Sequence, residues 1–218
     1  MIHIARTTTL DLLKRLIRIP SVNPAIEDGK GEEEIATFIA EWFKRTRLFK
    51  VFEQKVSKRR FNVVVTLEGK GRGNSLMLNG HMETVGTSAM TVKPFDPLVR
   101  NAMAYGRASC DMKGSIAAMM SAMVALAKWK KELAGDVLFT AVVDEEHMSI
   151  GTSELVKRFR ADAAILVNQA EIPTCVFGPG DIKVAPSPNE YIRLKDVVTA
   201  ARIYAETAWA YCSKDEPS

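Results

Sequence analysis

The chain has 218 residues, 47% hydrophobic and 26% charged, with a formal net charge of +4. At roughly 150 residues per domain this is one large or two small domains, long enough for a core that needs no staples. The densest basic run, residues 55–60, has no aromatic interleaving and reads as a solvated loop, which argues against a nucleic-acid partner.

Cys110, Cys175 and Cys212 show no CxxC spacing and an odd count, as expected of a reducing, cytoplasmic setting. The N-terminus is amphipathic rather than continuously apolar, so no signal peptide is expected. The longest apolar-rich stretch, residues 116–127, is too short to span a bilayer, and no membrane partner is expected.

In chain order, Thr8 or Thr9 can cap a first helix bearing Leu10, Leu13, Leu16 and Ile17, which Pro20 ends. A second helix carries Ile35, Phe38, Ile39, Trp42 and Phe43 at helical spacing. Residues 50–56 and 62–67 are strand-like, and a short buried strand over 75–78 runs into Asn79, Gly80 and His81. Residues 84–107 read as irregular. A long helix over 112–132 turns Ile116, Met119, Met120, Met123 and Ala127 inward, a methionine stripe best explained as core packing. A buried strand over 137–143 ends in Asp144, Glu145 and Glu146. Residues 151–160 are helical, 163–167 and 174–177 are strands, and 194–209 form a final helix. The expected architecture is a three-layer α/β fold whose central sheet is mixed and mostly parallel, flanked by helices.

The chemistry collects where apolar runs end. His81 has Glu83 two residues on, and an imidazole beside a carboxylate suits a zinc ligand with a group to orient it. Asp111 opens the long helix, where an aspartate can cap or ligate. Three adjacent carboxylates, Asp144, Glu145 and Glu146, repel one another unless a cation or solvent relieves them. In a functional reading Glu146 binds the cation and Glu145 takes a proton from water.

Several segments carry a resemblance, in order along nearly the whole chain. They are Ile19-Pro20-Ser21-Val22-Asn23-Pro24, His81-Met82-Glu83-Thr84-Val85, Tyr105-Gly106-Arg107 leading to Asp111-Met112-Lys113-Gly114, and Asp144-Glu145-Glu146 with Gly151-Thr152. Phe177-Gly178-Pro179-Gly180 and Ser187-Pro188-Asn189-Glu190-Tyr191 follow. Together they resemble the zinc-dependent amidohydrolase and metallopeptidase family of acetylornithine deacetylase, succinyl-diaminopimelate desuccinylase and glutamate carboxypeptidase. The resemblance implies His81, Asp111 and Glu146 as metal ligands, with Asp111 bridging two zinc (or cobalt) ions. It implies Glu145 as general base and Glu83 as the group that holds His81. The implied substrate is a small N-acyl amino acid or peptide.

The chain departs from that pattern in four places. Glu83 replaces an aspartate, and Asn168 stands where the family has a ligating carboxylate. Pro186 stands where it has a ligating histidine. The family inserts a lid and dimerisation domain where this chain has only Gln169-Ala170-Glu171-Ile172-Pro173, so residues 1–218 read as a single catalytic-type domain with the lid missing between about 168 and 174. Each ion would keep two protein ligands where catalytic zinc normally has three, so weak or partial metal occupancy is expected. Glu171 and His147 are substitutes at no family position. The expectation is a metal-dependent amide hydrolase core impaired by lost ligands and a lost lid. The alternatives are a non-catalytic scaffold or pseudoenzyme and a lidless aminopeptidase-like hydrolase. A monomer or weak self-association is expected, the latter because an absent lid would leave apolar surface exposed.

Overall fold

Apolar residues of β2 (Arg60–Leu67) point alternately to two sides, and both sides are covered. Val63, Val65 and Leu67 join one large core, and Val64 joins a smaller cluster on the opposite side. The computed structural model describes residues 1–159, 174–185 and 187–214. Among them β1 (Lys50–Ser57), β2, β6 (Val137–Val142) and β3 (Leu76–His81) form a four-stranded sheet in the order β1-β2-β6-β3.

The large core lies between this sheet and α1 (Arg6–Arg18), α2 (Glu33–Thr46), α3 (Lys113–Ala127) and α5 (Leu194–Cys212). On the other face Val64, Val142 and half-buried Met77 meet Leu155 of α4 (Ile150–Phe159). The three-layer mixed sheet expected from the sequence is therefore present. Within the described residues only β3–β6 is parallel, while β1–β2 and β2–β6 are antiparallel, so the parallel majority does not hold there. The cause is connection length. Two residues join β1 to β2, too few for a crossover, whereas α3 supplies the crossover from β3 to β6.

Helix boundaries follow local chemistry. Helix α1 starts at Arg6, so Thr9 lies inside it rather than at a cap, and its buried hydroxyl donates to the Ala5 carbonyl at 3.1 Å. It ends where Ile19 turns extended before Pro20. Helix α2 begins with Glu33 and Glu34 and closes with Lys44 and Arg45, charges that suit the two ends of its dipole. Helix α3 is buried almost all round, because α1, α5 and the sheet surround it, and Met119, Met120 and Met123 are core as expected. It stops at Ala127, and a 3₁₀ turn over Lys130–Glu132 replaces the last expected turns.

The segment expected to be irregular holds two three-residue strands, β4 (Leu98–Arg100) and β5 (Met103–Tyr105), which pair with each other, and β5 pairs in turn with β7 (Tyr191–Arg193) in a second small sheet. Strands this short carry no readable alternation. The strand expected over 174–177 does not form, and all four residues are exposed, with no pleated face to bury. The strand expected over 163–167, the short join where a lid would stand, Asn168 and Pro186 lie outside the described residues.

Candidate metal centre

Parallel pairing in register sets His81 opposite Val142, so the carboxyl ends of β3 and β6 finish side by side. Ligands in open α/β sheets gather at such ends. His81 is the last residue of β3, and Glu145 and Glu146 follow β6. Asp111 comes from a third direction, in the loop just ahead of α3, whose N-cap is Met112.

His81 is buried, and both ring nitrogens face acceptors. Its Nε2 lies 3.1 Å from Asp111 Oδ1 and 3.9 Å from Glu145 Oε2, and its Nδ1 lies 3.1 Å from the Glu83 carbonyl. Burial acts to lower the pKa of this imidazole. The Asp111 hydrogen bond and the charges of Glu83, Asp111 and Glu145 outweigh it and raise the pKa to about 9. The carboxylates thus favour a positive charge at this position, whether a proton or a metal ion. His81, Glu145 and Glu146 each present a ligand atom within 4.8 Å of the others. Asp111 is outside that group although it touches His81. Both sets share the imidazole, and the Asp111 contact is the shorter.

Glu83 reaches the ring through its backbone carbonyl. Its carboxylate is fully buried, with Oε1 accepting the Glu146 amide at 2.8 Å and Oε2 3.9 Å from His81 Nδ1 without a hydrogen-bond partner. Burial pushes the carboxyls of Glu83 and Glu146 above the usual range. Among the described residues no lysine or arginine pairs with Asp111 or Glu145, whose ionic partner is the imidazole. An imidazole and four carboxylates, one of them with an orphaned buried oxygen, form a donor set that fits a divalent cation with nitrogen and oxygen preference.

Asp144 takes a different part. Its backbone takes a left-handed φ of 65°, and Arg60 Nη2 (3.0 Å), Asn23 Nδ2 (3.0 Å) and the Met148 amide (3.2 Å) satisfy its carboxylate. Burial opposes its ionisation, but Asn23 and Arg60 hold its carboxyl below the usual range. The same guanidinium forks onto buried Glu32, with Nε 2.9 Å from Oε2 and Nη2 bonded to Oε1. Arg60 was expected in a solvated loop and is instead a half-buried link between two buried carboxylates, because the hairpin turn ends one residue earlier and Arg60 begins β2.

The Ser21–Asn23 strap binds the other turn. Ser21 Oγ donates to the Met82 carbonyl at 2.8 Å, Val22 bridges Thr84 in parallel, and the Asn23 amide donates to the Thr84 carbonyl at 3.0 Å. Lys113, fully buried, donates to the Ile19 carbonyl at 2.7 Å and lies 5.5 Å from the Phe95 ring, and burial pushes its pKa down to about 7. Composition alone did not single out Glu32 or Arg60. A charged residue opening a valine-rich buried strand was the available signal.

An imidazole grouped with carboxylates at strand ends is a donor arrangement that metal-dependent hydrolases use. Residues 77–174 match peptidase family M20/M25/M40, and that stretch contains His81, Glu83, Asp111, Glu145 and Glu146. Over 164 residues the chain is 30% identical to the N-formyl-4-amino-5-aminomethyl-2-methylpyrimidine deformylase of Halalkalibacterium halodurans, covering 72% of this chain and 37% of that protein. It is 29% identical over 170 residues to the succinyl-diaminopimelate desuccinylase of Halorhodospira halophila, covering 73% and 41%. The fold matches an M20 family metallo-carboxypeptidase from Sulfolobus solfataricus with a TM-score of 0.60, at 21% identity over 70% of this chain and 34% of that one. By these matches residues 77–174 form an M20 peptidase family region, and the chain spans less than half the length of these curated relatives. Among the described residues no helix is long and apolar enough to cross a membrane.

Proposed function

We propose that this chain is a catalytic-type domain of a metal-dependent amide hydrolase, acting on N-acyl amino acids or small peptides and impaired in this form. The observation that carries the reading is His81 Nε2 set between Asp111 at 3.1 Å and Glu145 at 3.9 Å, with Glu146 in the same cluster. His81, Asp111 and Glu146 would hold the ion, zinc or cobalt. Such an ion, when bound, polarises an amide carbonyl and acidifies water.

The remaining steps fall to side chains. Glu145, half-exposed at the mouth of the site, can accept a proton from the attacking water and return it to the leaving amine. Glu83 fixes Glu146 through its backbone amide. Deformylation and desuccinylation, for which the two relatives are named, both cleave small amides, which supports that substrate class.

Impairment rests on the sequence. Asn168 and Pro186 replace the family's ligating carboxylate and histidine, and five residues stand in place of a lid. A cytoplasmic setting agrees with three free cysteines. Calorimetric titration of chelator-stripped protein with Zn²⁺ tests the reading. One or two sites lost in His81→Ala support a hydrolase core, and metal-dependent cleavage of N-acyl amino acids by Asn168→Glu/Pro186→His supports the impairment. Absence of any site in the starting chain would leave a non-catalytic scaffold.

A further inference from the structure

Glu190 is 1% exposed, stands just ahead of β7 and is 79 residues from Asp111 in the chain. Its carboxylate is nevertheless the centre of the Asp111 loop. Oε2 accepts from Arg107 Nη1 and the Ala108 amide, both at 2.9 Å. Oε1 accepts from the Cys110 amide at 2.9 Å and the Asp111 amide at 3.1 Å. The Gly106 amide donates to the Glu190 carbonyl at 3.1 Å. Residues 106–111 thus wrap one carboxylate in a nest of backbone N–H groups, closed by a buried guanidinium.

Between β5 and α3 no strand or helix ladder holds this loop. Ala108 takes a left-handed φ of 62°, which brings its amide onto the carboxylate. Without Glu190 the buried Ala108 and Cys110 amides and the partly buried Asp111 amide would lose their acceptor, and the loop would have to rearrange. Asp111 Oδ1 meets His81 Nε2 from a backbone whose own N–H is held by Glu190, so any rearrangement displaces that carboxylate.

We infer that Glu190 is a positioning residue, holding Asp111 against His81 through the loop backbone and thereby setting the affinity of the site for a metal ion. The second half rests on the metal reading above, and the first half does not. Glu190→Gln is the informative change. Each carboxylate oxygen receives two donors, so an NH₂ at either position opposes two N–H groups.

The test compares wild type, Glu190→Gln, Asp111→Asn and Phe43→Leu, the last a core change between α2 and the sheet that controls for lost stability. In chelator-treated protein the His81 side-chain ¹⁵N resonances are expected to move in Glu190→Gln and in Asp111→Asn, but not in Phe43→Leu. Zinc affinity is expected to fall about 10–100-fold in Glu190→Gln, the usual effect of removing a group that orients a ligand. Unmoved His81 resonances in Glu190→Gln would overturn the inference, whatever zinc does. Resonances that move while wild type binds no zinc would sink the metal reading and leave the positioning role standing. Unchanged zinc affinity beside moved resonances would overturn the link to metal binding.

Should Glu190→Gln fail to fold, hydrogen exchange on wild type decides. Amides of Ala108, Cys110 and Asp111 are expected to exchange as slowly as those of β6. Exchange within minutes would mean that the carboxylate nest does not hold the loop, and the inference would fall.

Discussion

Arg60 shows how one side chain can change meaning between sequence and fold. In the sequence it closes a basic run, yet its guanidinium is shared by two buried carboxylates, Glu32 and Asp144. Removing one partner of a buried ion pair leaves an uncompensated charge, so Arg60→Met is expected to lower the unfolding free energy by about 3–5 kcal/mol. Urea denaturation measures this, and a loss below about 1 kcal/mol, the scale of an exposed pair, would show that the network is solvated. At this scale the sequence was legible where chemistry is concentrated. His81, Glu145 and Glu146 share one cluster, and Asp111 touches it. It was not legible for residues whose part depends on a distant partner. Asp144 looked like the first member of an acidic triplet, and only Asn23 and Arg60, 121 and 84 positions away in the chain (144 − 23 and 144 − 60), reveal that it braces the turn.

At the scale of elements, the acidic turn between β6 and α4 is also held by a close approach at Gly151. The Gly151 amide donates to the Val143 carbonyl at 3.1 Å, and Asn62 reaches both the Gly151 carbonyl (2.8 Å) and the Val143 amide (3.1 Å). A Cβ on Gly151 would sit 2.4 Å from the Val143 carbonyl oxygen and 2.6 Å from Asn62 Oδ1. Neither the backbone nor Asn62, whose side chain makes three hydrogen bonds, can give way cheaply. Gly151→Ala is therefore expected to cost about 1–3 kcal/mol as an overpacked contact and to weaken zinc binding by shifting Glu145 and Glu146. Exposed Ser153→Ala, two residues on, is expected to change stability by less than about 0.5 kcal/mol. Equal midpoints for the two variants in chemical denaturation would refute the close approach. Periodicity gave α1, α2, α3, α4 and α5 nearly in place, because long amphipathic or wholly buried segments leave a pattern over many residues. It missed β4, β5 and β7, whose three-residue lengths hold too little pattern to read.

For the molecule as a whole, the proposed absence of a lid would leave apolar surface uncovered. Val176 is 99% exposed, Ile182 72% and Met148 68%. Weak self-association is expected in light scattering as concentration rises, reduced in Val176→Ser/Ile182→Ser; a strict monomer at high concentration would count against the idea. The metal reading makes a second demand on the whole fold. Three structural units converge on the centre: the end of β3, the turn after β6 and the loop ahead of α3. An ion bound there clamps all three, and it binds the native state while finding no assembled site in the unfolded chain. Stability must then rise by mass action, by about 2.7 kcal/mol at a free zinc concentration 100 times the Kd. For a chain of this size that corresponds to an increase in Tm of about 5–11 °C, at 2–4 °C per kcal/mol. The shift is expected to disappear in His81→Ala and on addition of chelator. Because it reads binding and not turnover, it stays measurable even where lost ligands leave the hydrolase silent. A Tm independent of zinc at millimolar concentration would mean that the four carboxylates around His81 hold a proton and nothing more.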